Sequence, residues 1–489
     1  MPGIGEVLQS HPYIDRAAVL GDDNRSLVAY VQPGRADVGA AVEVDHADLT
    51  RDYVEEWQSV YDYVYSGGPA GDGRFDVRGW TSSYTGAELS EEDMREWVEQ
   101  TVSRVRGLGA KRILELGCGT GLLLHRLLDS CDAYFASDVS ATAIDRIRES
   151  FGGTVPSSVR LAHAGADEPG FVPPGAVDAA MINSVAQYFL DESYLTSVLA
   201  AAAERVDRDG LLFIGDIRSA ALNRAFSAGV ELARADPGAT REQIQALAER
   251  RCCTGTELLI DPGYFVDLAA AIPRVAHVEI RLKRGQRPTE MTRFRFDAVI
   301  HLDSARHDIV AVDDWRQWAS LQQTEQLLSG KPETLGFLSV PNARTITDHT
   351  AATLLQRLDG PATADEVRQA AADASGVDPE DLWALADKHG YTLQLSWARS
   401  TPDGSFDAAF VRAENALVAF PTQPVTARQH TNRIWHVTAE NLDLAQLRDY
   451  LREQRPSGPV PARFVVLEEL PLRADGEVDL AALAAVNWA

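Results

Sequence analysis

From residue 111 onward the apolar positions of the chain alternate between two rhythms. A short apolar run, Ile113 to Leu116, enters a glycine-rich turn, and "GLLLHRLLDS" follows with leucines at helical spacing before the next short run, "YFASDVS". That order predicts a βαβ unit with parallel strands. Further strand-like runs are "VRLAHAGA" (159–166), "VDAAMINSV" (177–185) and "LLFIGDIRS" (211–219), separated by helical or turn-rich stretches such as "DESYLTSVLAAAAERVDRDG". The last two runs, "VAHVEIRLKRG" and "FRFDAVIHLD", are joined by the polar "QRPTEMTR" rather than by a helical pattern. They predict an antiparallel hairpin closing the sheet. The fold expected is a doubly wound, Rossmann-like α/β sheet of the class I methyltransferase arrangement, ending in a C-terminal antiparallel hairpin.

Composition narrows the setting. With 489 residues and ordinary apolar content, the chain can bury more than one core. A formal charge of −26 argues against a nucleic-acid or anionic-membrane surface, which needs clustered Lys and Arg. No signal peptide and no apolar span of about 20 residues is legible, so a cytoplasmic protein is expected. Cys118, Cys131, Cys252 and Cys253 have neither disulfide-framework nor zinc spacing, and the histidines form no H-E-x-x-H pattern. No metal is expected.

Gly117, Gly119 and Gly121 form a G-x-G-x-G turn, in which missing side chains let backbone N–H groups and a helix N-terminus approach a ligand. A dinucleotide site would place its third glycine at 122, where the residue is Leu. Glu115, just before the turn, would also repel a pyrophosphate. S-adenosylmethionine, whose sulfonium is cationic, suits these features better. Asp138, ending the second strand about 20 residues on, is placed to accept both ribose hydroxyls. Cys118 in the turn and Val139 after Asp138 join the cofactor set, and Ala166 and Asp167 are expected to bracket the adenine. A tight structural turn and a helix N-cap at Asp138 would leave the same residues.

In a doubly wound sheet ligands sit at the carboxyl ends of strands. That rule nominates Asn183, Ser184, Gln187 and Tyr188 after the fourth strand and Asp216 and Arg218 after the fifth. Asn183 and Ser184 belong to the cofactor set, Asn183 and Tyr188 orient the reactants, and Gln187 and Arg218 contact substrate. Core packing would equally account for Tyr188. Asp216 or Glu290 is the candidate proton acceptor, with pairing to Arg218 or Arg293 as the alternative, and Arg293 joins the substrate set. The segment "GWTSSYTG" (79–86) reads as a lid whose Trp80, Ser83 and Tyr84 wall the substrate cavity, followed by a helix capped by Ser90 and Asp93. "YDYVY" (61–65) has a similar but weaker claim.

The stretches "GWTSSYTGAELSEEDMREWVEQTV", "RILELGCGTGLLLHRL", "INSVAQYFLD", "IGDIRS", "RLKRG" and "MTRFRFDAVIHL" resemble the N-methyltransferase domains embedded in adenylation domains of nonribosomal peptide synthetases. "SVPNAR" and "GVDPEDLWALADKHGYTLQLSWA" resemble the auxiliary region that follows in those domains. The two ends resemble the opening and close of the small adenylation subdomain, an α+β unit split between them. The resemblance implies four regions: 1–48, the first part of that subdomain; 49–310, the methyltransferase; 311–427, the auxiliary region; and 428–489, the remainder. It also implies N-methylation of the α-amine of an aminoacyl or peptidyl group on a carrier protein, here acting in trans as a free-standing piece. No adenylation activity is expected, because no adenylation core precedes residue 1 and Glu477 stands where the family's closing motif has a lysine. Two alternatives stay open: a C- or O-methyltransferase of the same pathway type, or a non-catalytic or epimerase-like docking protein.

Overall fold

A computed structural model describes the chain except residues 1–3, 12–13, 22–26, 34–45, 68–72, 306, 358, 423–429, 433–443, 456–459, 462, 468–469, 474–477 and 486–489. Glu477 and its neighbours Asp475 and Gly476 therefore lie outside the described residues. The chain separates into two compact units, one formed by 1–49 with 434–489 and the other by 50–433.

The larger unit is built on a seven-stranded sheet. Its strands are β1 (Arg112–Leu116), β2 (Ala133–Asp138), β3 (Val159–His163), β4 (Val177–Asn183), β5 (Val206–Arg218), β6 (Val275–Leu282) and β7 (Arg295–Leu302). Across the sheet they run β3-β2-β1-β4-β5-β7-β6. The first five are parallel, with Ile113 beside Tyr134 on one side and Ala179 on the other. β7 is antiparallel to both neighbours, pairing Val299 with Phe213 and Ala298 with Ile280. This is the class I methyltransferase sheet. The expected hairpin is present, but its second arm lies inside the sheet and its first arm forms the edge. The linker also contains one helical turn, Glu290–Arg293.

The inner position of β7 explains its burial along its whole length, including Arg295, Asp297 and His301. Buried charges persist only when paired. Asp297 accepts from Lys283 Nζ at 3.0 Å and is also held by Arg104. The glycine turn leaves the end of β1 between its neighbours β2 and β4, at the crossover where doubly wound sheets bind ligands.

Two helices close over this end of the sheet: α1 (His46–Ser66) and α2 (Glu91–Gly107). In α2, Met94, Trp97, Val98, Thr101, Val102 and Val105 repeat at helical spacing and are buried, so one face joins the core. Ser90 caps it, accepting from Asp93 N–H at 3.1 Å while its hydroxyl donates to the Asp93 carboxylate at 2.6 Å. Helices α3 (Asn223–Arg234) and α4 (Arg241–Thr254) pack with α5 (Ile346–Gln356) and α6 (Ala364–Ala372) through small side chains such as Ala228, Ala248, Ala351 and Ala371. A second, four-stranded sheet, ordered 315–317, 334–340, 406–411, 392–396, completes the unit.

In the smaller unit, strand Ile14–Gly21 pairs antiparallel with Leu27–Pro33, and Arg463–Val466 adds in parallel to the latter. Alternate residues face opposite sides: Ala29 and Val31 pack on Leu447 and Leu451, while Tyr30 packs on Leu470 and Leu483.

Candidate functional site

At the carboxyl ends of β1, β2 and β4 the larger unit encloses a cavity of about 580 Å³. The glycine turn forms its floor. Gly117, Gly119 and Gly121 all have left-handed backbone, with φ of +76°, +51° and +83°. A side chain at Gly117 would strike Val185 at 2.5 Å, so the close approach of the β1 and β4 turns requires glycine there. Gly117 and Cys118 donate their N–H groups to Ser137 O, and Gly119 N–H donates to Asp138 Oδ2 at 2.8 Å. Gly117, Cys118 and Gly119 face the cavity, whereas Gly121 turns away toward Ile147 and His125. The helix expected after the turn is short, one α-turn over Leu124–Leu127 and then a 3₁₀ turn. The N–H groups of Gly117, Cys118, Gly119 and Gly121 are bonded within the protein, and what the floor offers is a backbone bare of side chains.

Asp138 lines the cavity and also accepts Ser140 N–H through Oδ1 at 2.9 Å. Burial pushes its carboxyl up, opposed by these backbone donors. Glu115 lies beneath, accepting the Tyr134 hydroxyl at 2.7 Å, and burial pushes it up to about 8. Val139 and Ala166 line the adjoining wall. Asp167 does not: its carboxylate accepts the Tyr194 hydroxyl at 2.9 Å, and Tyr194 faces the cavity in its place.

At the end of β4, Asn183 and Ser184 face the cavity. Asn183 Oδ1 is buried and unpartnered among the described residues. Ser184 has a φ of +57° and Asp216, at the neighbouring strand end, +64°. The two are tied by Ser184 Oγ donating to Asp216 Oδ2 at 2.9 Å. Gln187 is a correction: it is buried and outside the cavity, and its Nε2 donates to Ser184 O at 3.0 Å, which braces the turn. Tyr188 faces the cavity, its ring 4.5 Å from Trp57 and 5.4 Å from Tyr61.

Both expected proton acceptors are also corrected. Asp216 is fully buried and outside the cavity, accepting Trp97 Nε1 at 3.0 Å and Arg295 at 2.5 Å, with Lys283 Nζ at 3.5 Å. Burial would raise its carboxyl, but Arg295 and Lys283 hold it below the usual range. Glu290 is spent on the 79–86 loop, accepting both Ser83 N–H and Ser83 Oγ. The alternative partners differ from expectation too. Arg218 lines the cavity, lies 4.6 Å over the Phe226 ring and pairs with Glu257. Arg293 lies outside it, donating to Arg344 O at 2.8 Å and pairing with Asp348.

In the 79–86 loop, Trp80 and Ser83 face the cavity, Trp80 packing on Trp97 at 5.0 Å. Tyr84 turns away to Phe226 and Arg293, and burial pushes its hydroxyl up to about 12. The opposite wall is α1. Trp57, Tyr61 and Tyr65 recur every fourth residue, stack at 6.0 and 5.6 Å, and line the cavity together. The four-residue spacing of Trp57, Tyr61 and Tyr65 is legible in the sequence, whereas nothing local marks Glu257 as facing the same cavity.

Residues 114–212 match the family described as "Methyltransferase domain". Over 99% of this chain, the chondramide synthase cmdD of Chondromyces crocatus is 34% identical. The beauvericin nonribosomal cyclodepsipeptide synthetase of Beauveria bassiana is 30% identical over 97% of it. Residues 114–212 carry a methyltransferase domain, and the chain is similar to nonribosomal peptide synthetases along almost its whole length. This domain, with its flanking segments, spans only 13% and 16% of those two synthetases. Among solved structures, the N-methyltransferase NodS of Bradyrhizobium japonicum WM9 covers 42% of this chain and 86% of its own, at 14% identity and a TM-score of 0.29.

The methyltransferase domain's residues fit S-adenosylmethionine. The unpartnered Asn183 Oδ1 and the Asp138 carboxylate offer acceptors, the glycines let a ligand approach the backbone closely, and Asp138 favours a cation. The cofactor is S-adenosylmethionine, which supplies a methyl group on positively charged sulfur. The aromatic faces of Tyr61, Tyr65 and Trp80 suit the same charge.

Proposed function

We propose that the protein N-methylates the α-amine of an aminoacyl or peptidyl group held as a thioester on a carrier protein in nonribosomal peptide synthesis. The peptide-synthetase relatives, matched along almost the whole chain, support the context. The observation that carries the choice of nitrogen is the acidity of the cavity wall. Of the carboxylates facing it, Asp76 is tied to Arg78 and Arg146, Glu115 and Asp138 sit at the glycine turn, and Glu257 is held ionised by Arg218. Glu115, raised to about 8, lies at the cofactor floor and accepts the Tyr134 hydroxyl, so none of the four is the strong base at the acceptor that a hydroxyl or carbon requires. An amine in its neutral form attacks without one, and alignment in the cavity then supplies most of the rate.

In this reading Asp138 and Asn183 hold the cofactor end, Tyr188 and Trp80 wall the reaction site, and the 79–86 loop excludes water. Carrier contacts concentrate the substrate. The test is incubation with labelled S-adenosylmethionine and a panel of aminoacyl carrier proteins, with mass spectrometry to place the label. Label on the α-nitrogen is expected, with at least 100-fold lower kcat/KM for the free amino acid. Equal specificity constants for free and carrier-held amino acids would reject the carrier-dependent reading.

A further inference from the structure

Among the described residues Glu257 is the one cavity carboxylate that belongs neither to the glycine turn nor to the Asp76 ion pairs. It lies in the segment 255–260 after α4, which hydrogen bonds fix at several points. Leu258 N–H donates to Gln187 O at 2.7 Å, Ile260 N–H to Arg218 O at 2.9 Å, and Leu259 N–H to Asn432 Oδ1 at 2.7 Å. Asn432 Nδ2 returns a bond to Glu257 O at 3.0 Å. The side chain is therefore a charge at a fixed place. Its Oε2 is paired with Arg218, while Oε1 accepts no hydrogen bond among the described residues. The side chain keeps 27% of its surface open, facing the cavity.

The place is the end of the cavity away from the cofactor floor. Along α1, Tyr53 reaches Thr256 O, next to Glu257, whereas Tyr65 stands over Gly119. Twelve helical residues separate these two contacts, a distance of about 18 Å. Tyr61 and Tyr188 lie between. Burial alone would raise the Glu257 carboxyl, but Arg218 and Arg295 outweigh it and keep the group ionised.

When an amine is methylated, its lone pair forms the N–C bond as the S–C bond breaks, and positive charge passes from sulfur to nitrogen. The methylated ammonium then gives a proton to water. An anion fixed beside the nitrogen is favoured more in the transition state than before it. We infer that Glu257 faces the acceptor nitrogen, takes an N–H hydrogen bond on Oε1 and stabilises the charge that develops there. Arg218 keeps it a fixed anion rather than a proton acceptor. This role rests on the amine reading above.

Glu257→Gln keeps the shape and removes the charge. Three quantities are compared in wild type and variant: calorimetric affinity for S-adenosylhomocysteine, affinity for a valyl carrier protein with an amide in place of the thioester, and kcat/KM for valyl and 2-hydroxyisovaleryl carriers. The variant is expected to bind S-adenosylhomocysteine within twofold of wild type. It should bind the valyl analogue at least tenfold more weakly and lose at least 100-fold in kcat/KM on the valyl carrier. If the variant instead keeps analogue affinity and rate within threefold while wild type N-methylates the valyl carrier, the inference about Glu257 is overturned and the amine reading stands. If wild type methylates the hydroxyacyl carrier and not the valyl one, the amine reading fails and takes this inference with it. Should Glu257→Gln lose S-adenosylhomocysteine binding, the double variant Arg218→Gln with Glu257→Gln, which leaves no unpaired charge at that ion pair, is judged by the same criteria.

Discussion

Glu290 grips Ser83 with both carboxylate oxygens: Oε2 accepts the backbone N–H at 2.8 Å and Oε1 the hydroxyl at 2.9 Å. The two residues are 207 positions apart, and the contact fastens the 79–86 loop to the turn before β7. Glu290→Ala should cost about 1.5 to 3 kcal/mol in urea unfolding, the range for hydrogen bonds to a charged group. It should also raise the acceptor KM while leaving S-adenosylhomocysteine affinity intact. A loop that only covers the sheet would show the stability loss without the KM change.

Asp138 is the carboxylate best placed for the ribose, at the second strand end and on the cavity wall. Asp138→Ala should weaken S-adenosylmethionine binding by about 1.5 to 3 kcal/mol. Calorimetry showing unchanged affinity would move the ribose elsewhere.

Burial raises the Glu115 carboxyl from 4.5 to about 8. The folded protein thus binds more protons than the unfolded chain between those values. Stability contributed by the neutral group is complete below pH 4.5 and is lost as pH rises through about 8. Glu115→Gln should flatten the stability-against-pH curve across that window. Parallel curves for the two proteins would place the titration elsewhere. Calorimetry at pH 7 in buffers of different ionisation enthalpy should also detect proton release when the cationic cofactor binds wild type, and less in the variant.

Asp216 is held by Arg295, Lys283, Trp97 and Ser184 in the core. Asp216→Asn leaves the buried Arg295 without its carboxylate, while Lys283 keeps Asp297, and should destabilise by about 3 to 5 kcal/mol. The shape of the pH–rate profile should stay the same in whatever folded protein survives. Loss of a single ionisation from that profile would restore Asp216 as the proton acceptor.

The succession of strands and the glycine turn are legible because both are local: apolar runs alternate with helical spacing, and three glycines fall within five residues. The fate of Asp216 was not. Its partners Lys283 and Arg295 come from the two arms of the terminal hairpin, and only the insertion of β7 beside β5 brings them to it. The alternation in "FRFDAVIHL" signals a half-exposed strand, but ion pairing lets Arg295 and Asp297 point into the interior. Asp167 and Tyr84 sit in the right segments with side chains turned the other way, a matter of rotamers that spacing does not encode.

The smaller sheet has a peculiarity of timing. Its third strand, Arg463–Val466, lies more than 400 residues beyond the strand it joins, Leu27–Pro33. At synthesis rates of roughly 5 to 20 residues per second, the first two strands wait about 20 to 90 seconds for their partner. Until then Leu27–Pro33 presents an open edge, and Ala29 and Val31 lack the cover of Leu447 and Leu451. The 50–433 unit, whose sheet closes among its own residues, can fold first and bring the two distant ends within reach, which reduces the entropy of closing so long a loop.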